Sequence, residues 1–372
     1  MQRTARMLHP LTTQLVGSYT KPSWLIKHNE IYRLGGRAWL IEPDLLERAQ
    51  ADVARLSIYD QEKAGIDLLT DGEPWRSAWD RHFISRLGGL NIARPANIVV
   101  PPSEIGTVKF KKKGEWSRED DDGLPRVVGP IEWLKPITVK ELEFAKRQTS
   151  RPLKTQIVGP FTVVDRLADE YYHDELELAM AVAAALNKEL LALEQAGAAV
   201  LHIDDPVMHS RFSRSKRLGV APIERMIEGL TRPTTVHVCY GYAYSKESKA
   251  PSPTYPELLE LLASVKSLTA MSIEYEQPRH QPELLRHCGD KHVVLGLLDL
   301  GTTNIETPEH IASRIRDALK VVPPERLHPS SDCGMWHLPR EVAFGKIRSL
   351  VKGADIIRRE LGLPTSGPMT CS

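Results

Sequence analysis

The sequence predicts an α/β fold, a closed (β/α)8 TIM barrel forming a single domain with an excursion at about 88–135. Three observations lead there. Eight apolar, β-rich runs follow one another along the 372 residues, and most end in small or acidic residues. Helical patterns lie between them. The runs are near-continuously apolar, as expected of strands in a parallel sheet covered on both faces. Eight such strands alternating with helices favour closure into a barrel. An open doubly wound sheet is the alternative, but no G-x-G-x-x-G follows the first run.

The first strand is TTQLVGS at 12–18. The helix at 43–64 opens with Pro43 and Asp44 and stops at Gly65, a start and stop pair. IDLLTDGE at 66–73 is the second strand. The segment 88–135 then breaks the alternation. Its KFKKKGEWSREDDDG sets cationic and anionic blocks side by side, which reads as a solvated hairpin or excursion, with a substrate-facing flap as the sharper alternative. A helix at 136–148 leads to LKTQIVGP at 153–160. The helix at 165–196 repeats Leu176, Ala179, Met180, Ala183, Leu186, Leu190 and Leu193 at helical spacing and stops at Gly197. The remaining strands are AVLHIDDP (199–206), TTVHVCYG (234–241), MSIEYE (271–276), HVVLGLLDL (292–300) and RLHPSSDCG (326–334). Helices fit 222–230, 255–267, 307–320 and 340–361. No internal repeat and no linker divides the chain, so 1–372 is expected to be one barrel.

Charge narrows the partners. Lys+Arg 49 against Asp+Glu 48 leaves a net charge of +1, so no general basic footprint for nucleic acid is present. No apolar run approaches the ~18 residues of a membrane span. The N-terminus lacks the apolar core of a secretory signal. A cytoplasmic protein with neither nucleic-acid nor membrane partners is expected. The four cysteines, Cys239, Cys288, Cys333 and Cys371, are too sparse for a disulfide framework.

The working face of a barrel is the C-terminal end of its strands. Ser18, Asp71, Glu73, Asp204, Asp205, His237, Cys239, Glu274, Glu276, Asp299, Asp332 and Cys333 cluster at those ends. His237 and Cys239, two residues apart on a strand, share one face. Their nitrogen and sulfur suit zinc, although a buried strand Cys taken singly is more often a small core residue. Cys333 follows another strand and precedes Gly334, and Glu274 ends the strand between. One nitrogen, one oxygen and two sulfurs fit tetrahedral Zn²⁺. Their wide spacing is that of a catalytic centre rather than a finger.

In order, the chain carries VGS (16–18), DGE (71–73), GP (159–160), IDDP (203–206), HVCYG (237–241), SIE (272–274) and SDCG (331–334). Over roughly 12–361 this resembles the catalytic, C-terminal barrel of cobalamin-independent methionine synthases, and more closely their short, single-barrel members. The resemblance implies zinc ligands at His237, Cys239, Glu274 and Cys333. It implies homocysteine binding through Ser18, Glu73 and Asp204, with backbone help around Val16 and Gly17, and no catalytic residue beyond the zinc site. Zinc would hold the substrate thiol as thiolate, and Glu274 is the ligand expected to yield.

Three departures qualify the likeness. A second, folate-binding barrel is missing. Asp299-Leu300-Gly301 puts glycine where the long enzymes carry a histidine that protonates a folate leaving group. Ile203-Asp204-Asp205-Pro206 replaces the usual I-D-E-P. The expected function is therefore methylation of homocysteine to methionine, with a methylated corrinoid protein or another small methyl donor in place of simple methyl-tetrahydrofolate. One rival is addition of a thiol to an epoxide, as in epoxyalkane:coenzyme M transferase, whose sulfonate would call on Arg76, Arg81, Arg279 or Arg340. A zinc-binding barrel without catalysis is the other. Trp75, Trp79, Tyr240, Tyr242 and Trp336 read as packing ahead of a donor pocket. His82 and His337 are candidate acids or bases, and Cys288 and Cys371 carry no motif.

Overall fold

A computed structural model describes residues 9–28, 38–96, 123–240 and 249–366. Lys154–Val158, Val200–Asp204, Thr234–Val238, Ala270–Ile273, His292–Gly296 and Leu327–Ser330 pair in chain order. Every pairing among them is parallel. The stretches 12–18 and 66–73 supply two further positions through single parallel bridges, Gln14 with Leu68 and Leu69 with Leu153. The circle closes where Leu11 N–H donates to Leu327 O at 3.0 Å and Gln14 N–H to Pro329 O at 3.1 Å. This is the predicted (β/α)8 barrel, and its strands are numbered one to eight below.

The strands alternate more strictly than their apolar appearance suggests. Leu201, Ile203, Val236, Val238, Met271, Ile273, Val293 and Leu295 join the main apolar core shared with the helices. The residues between them belong to the opposite, inner face. There Leu68, Val200, Ala270 and Val294 form a small apolar cluster of their own. The rest of the inner wall is polar: Lys154 Nζ donates to Gln14 Oε1 at 2.9 Å, and the His202 and His237 rings lie 5.9 Å apart. Buried polar groups are costly unless paired, so this wall is where function is to be sought.

The helix Pro43–Ala64 has the predicted bounds, ended by Gly65 at φ 92 with its N–H on Gln61 O. Val139–Lys146, Tyr255–Ala263, Pro308–Leu319 and Arg340–Glu360 follow the predicted helices with trimmed ends, and Ala221–Met226 starts one residue before its predicted start and stops short of its predicted end. The long helix expected at 165–196 does not begin at 165. A short helix, Pro160–Asp165, and a two-residue strand, Ala168–Asp169, come first, and the helix runs Glu175–Gln195. Its start is set by Asp174, whose carboxylate accepts Glu177 N–H at 2.8 Å. Within the excursion, Leu87–Ala96 and Leu124–Trp133 form an antiparallel hairpin, extended on one edge by Ala168–Asp169. Residues 97–122, with most of the charged blocks, lie outside the described residues. Among the described residues no helix is long and apolar enough to cross a membrane.

Candidate metal centre and acid pocket

Strand five runs into His237 and Cys239, and Cys333 follows strand eight. One ligand atom from each of these three lies within 4.8 Å of the other two, and all three residues are buried. His237 Nδ1 is 2.9 Å from Ser272 Oγ on strand six, which leaves Nε2 buried and without a hydrogen-bond partner. Ligating histidines are commonly oriented this way, one ring nitrogen held and the other aimed at the metal. Burial, helped by Lys154 and Lys249, pushes the imidazole down to about 3, so it is neutral, the form that binds metal. The hydrogen bond from Cys333 and then burial hold the Cys239 thiol well above its ordinary range. Two adjacent buried thiols resist ionising together unless a cation is present. An orphaned imidazole nitrogen beside two such sulfurs is a donor set that fits Zn²⁺.

Glu274 stands beside this trio rather than within it. Its Oε1 lies 2.8 Å from Lys249 Nζ, and its Oε2 accepts Tyr240 N–H at 3.1 Å. Burial works against the Lys249 ammonium, but Glu274, Cys333 and Cys239 together leave it raised. Lys249 was not legible in the sequence, because it follows strand five in no motif and meets Glu274 only in the fold. Ser272 was visible only as the first residue of SIE. Replacing Ser272 with alanine should cost about 10- to 100-fold in zinc affinity, measured by chelator competition. An unchanged affinity would mean that Ser272 does not orient His237.

A second group lies across the barrel mouth. Gly72 at φ 80 and Glu73 at φ 60 take consecutive left-handed conformations, held by Glu73 N–H on Asp71 Oδ1 at 3.0 Å. For a non-glycine residue this costs on the order of 1 kcal/mol or more, and such strain gathers at functional sites. The turn leaves Glu73 2% exposed. Asp204 ends strand four, and Gln156 on strand three donates to its Oδ2 at 3.3 Å. Burial, then the charge of Glu73, holds the Asp204 carboxyl well above the usual carboxylate range. Arg76 approaches Glu73 Oε1 only to 3.7 Å and donates instead to Glu141 at 3.2 Å and Gln156 O at 2.9 Å.

Neighbouring acids do other work. Asp205 accepts Phe161 N–H at 3.1 Å and Thr162 N–H at 2.8 Å, so the departure from I-D-E-P falls on a residue that caps a short helix. Asp332 accepts Gln277 N–H at 2.7 Å and pins the loop after strand six. Ser18 is buried, its carbonyl accepting Met335 N–H at 2.9 Å. Beside it, Val16 N–H donates to Ser331 Oγ at 3.1 Å.

The remaining candidates resolve into packing. Trp75 meets Phe144 edge-on at 5.3 Å, Trp79 lies against the main core, and Trp336 clusters with Ile26 and Ala38. Tyr240 Oη is 2.9 Å from His280 Nε2. His82 pairs with Glu141 at 3.0 Å. His337 Nε2 donates to Leu300 O at 3.0 Å, and burial pushes its ring down to about 4. Burial pushes the Cys288 thiol up to about 12, which keeps it protonated and inert. Arg340 is paired with Asp60 at 2.6 Å. Tyr242 and Cys371 lie outside the described residues.

A parallel barrel with an imidazole, two thiols and a set of buried acids at its C-terminal mouth belongs to the class of barrel enzymes that work on a small molecule over the strand ends. More particularly, the chain belongs to the cobalamin-independent methionine synthase family. The family described as "Cobalamin-independent synthase, Catalytic domain" matches residues 11–355. A methionine synthase of Sulfurisphaera tokodaii is 31% identical over 353 residues, covering 94% of each chain. One from Saccharolobus solfataricus is 30% identical over 355 residues, covering 94% of this chain and 96% of the relative. The structure of a B12-independent methionine synthase from Shewanella sp. W3-18-1, in complex with selenomethionine, superposes with a TM-score of 0.81 at 32% identity, covering 95% of this chain and 99% of the other. A Listeria monocytogenes structure with a TM-score of 0.68 at 21% identity shares the fold.

Proposed function

We propose that this chain, working as one barrel, is a zinc-dependent methyltransferase that passes a methyl group to the sulfur of homocysteine, forming methionine. One observation carries the reading: the His237, Cys239 and Cys333 donor set shares a barrel mouth with the buried acids Glu73 and Asp204, each of which keeps one oxygen without a hydrogen-bond partner. Those three residues would hold the metal, with Glu274 as exchangeable fourth ligand. Bound there, Zn²⁺ would keep a substrate thiol in its thiolate form near neutral pH. Glu73 and Asp204 take the substrate ammonium, and Ser18 takes its carboxylate. The chain thus fixes the sulfur in line for the incoming methyl carbon. The thiol proton would be lost on binding, and the S–C bond forms as the bond from the methyl carbon to the donor breaks, the donor leaving with that electron pair. The complex of the Shewanella relative with selenomethionine supports an amino-acid ligand.

The donor is read as a corrinoid, presented by a corrinoid protein in a cytoplasmic setting. A folate leaving group needs a proton, and a positioned acid typically contributes about 10²–10⁴-fold to such a step. Gly301 has no acid to offer, and a Cβ added there would lie 2.5 Å from Gln277 Nε2, which fills the space. His82 and His337 are engaged elsewhere. Cob(I)alamin leaves without a proton. Purified zinc protein given homocysteine should therefore form methionine from methylcobalamin, and from methyl-tetrahydrofolate about 10²–10⁴-fold more slowly or not at all. Efficient methionine formation from methyl-tetrahydrofolate, with no corrinoid added, would overturn the donor assignment. A product from coenzyme M and an epoxide, without one from homocysteine, would overturn the acceptor.

A further inference from the structure

Three buried acceptor oxygens of the mouth lack a hydrogen-bond partner: Glu73 Oε1, Gln156 Oε1 and Asp204 Oδ1. They come from three successive barrel positions. Native proteins rarely leave such atoms unpaired without a ligand or water to fill the gap. The Gln156 amide is oriented by its own contacts. Nε2 donates to Asp204 Oδ2 at 3.3 Å, and reversing the amide would set an oxygen against that carboxylate. Its Oε1 is thereby turned toward Gly17. A Cβ added to Gly17 would lie 1.3 Å from Gln156 Oε1 and 2.4 Å from Glu73 Oε1, so the two oxygens sit side by side in space that only glycine leaves open. The backbone beneath is anchored as well, since Arg76 Nη1 donates to Gln156 O at 2.9 Å.

We propose that Gln156 is a substrate-binding residue, its Oε1 completing with Glu73 Oε1 and Asp204 Oδ1 a three-acceptor cradle for a primary ammonium group. A primary ammonium carries three N–H donors and no acceptor, one donor for each orphaned oxygen. Lys154 is buried beside them: burial pushes its ammonium down to about 7, although the charges of Glu73 and Asp204 act the other way. The cradle would make the mouth selective for an α-amino thiol over the same thiol acid lacking its amino group. This rests on the amino-acid acceptor reading above and adds a residue that neither the motifs nor the family resemblance pointed to.

Calorimetric titration of the zinc protein with homocysteine and with 4-mercaptobutanoate, which lacks only the amino group, tests it. Wild type should favour homocysteine. Gln156→Leu should weaken homocysteine by roughly 10- to 150-fold, the usual worth of a hydrogen bond to a charged group, and leave 4-mercaptobutanoate and zinc content unchanged. Gln156→Met, closer in shape, should do the same and guards against a packing failure in the leucine variant. Unchanged homocysteine affinity in both variants, or a parallel loss for both ligands, would overturn the role of Gln156 while the acceptor reading stands. A wild type that does not favour homocysteine would overturn both.

Discussion

Replacing Cys239 or Cys333 with serine is expected to remove most of the zinc and all methyl transfer. Each change exchanges a thiolate for a poorer hydroxyl ligand in a site whose other described donors are one imidazole and one sulfur. The barrel should persist: Cys239 and Cys333 both belong to the main apolar core, but serine is close to cysteine in size and leaves the rest of that core in place. Metal analysis of the purified variants is the check. Near one equivalent of zinc in the parent and little in either variant is the expected result. Full retention in both would place the metal elsewhere or make it adventitious.

Neutralising the acid pocket should leave zinc in place and strike the acceptor instead. Glu73→Gln and Asp204→Asn each remove a charged partner from a substrate ammonium that stays buried. Such a loss typically costs about 2–5 kcal/mol, or roughly 30- to 5,000-fold in dissociation constant. Glu73 should show the effect clearly, since Arg76 stands 3.7 Å away and is committed to Glu141 and Gln156 O. Normal homocysteine affinity in both variants would make the amino-acid assignment wrong and favour a thiol without an ammonium.

Much of this arrangement was legible in the chain because strands have a period of two. His237 and Cys239 were expected to share a face, and in the fold a ligand atom of each lies within 4.8 Å of the other and of Cys333. The same rule separates Asp204, which faces the mouth, from Asp205, which caps a helix. The helix Pro43–Ala64 was readable to the residue, since proline and glycine constrain the backbone locally. The start of Glu175–Gln195 was not, because the stretch before it is shaped by the tertiary pairing of Ala168–Asp169 with Leu124–Trp133. Lys249 and Gln156 were missed for a common reason. A lysine after a strand or a glutamine within one carries no signal of its own. Each acquires its role from a partner distant in sequence, Glu274 in one case and the Gly17 backbone with Asp204 in the other.

X-ray absorption at the zinc edge, with and without homocysteine, tests the central claim most directly. The zinc protein without homocysteine should show two sulfur neighbours, from Cys239 and Cys333. Saturating homocysteine should raise the count to three at the expense of one oxygen, as Glu274 gives way and is held by Lys249. A sulfur count that stays at two while calorimetry shows homocysteine bound would contradict thiol activation at this centre.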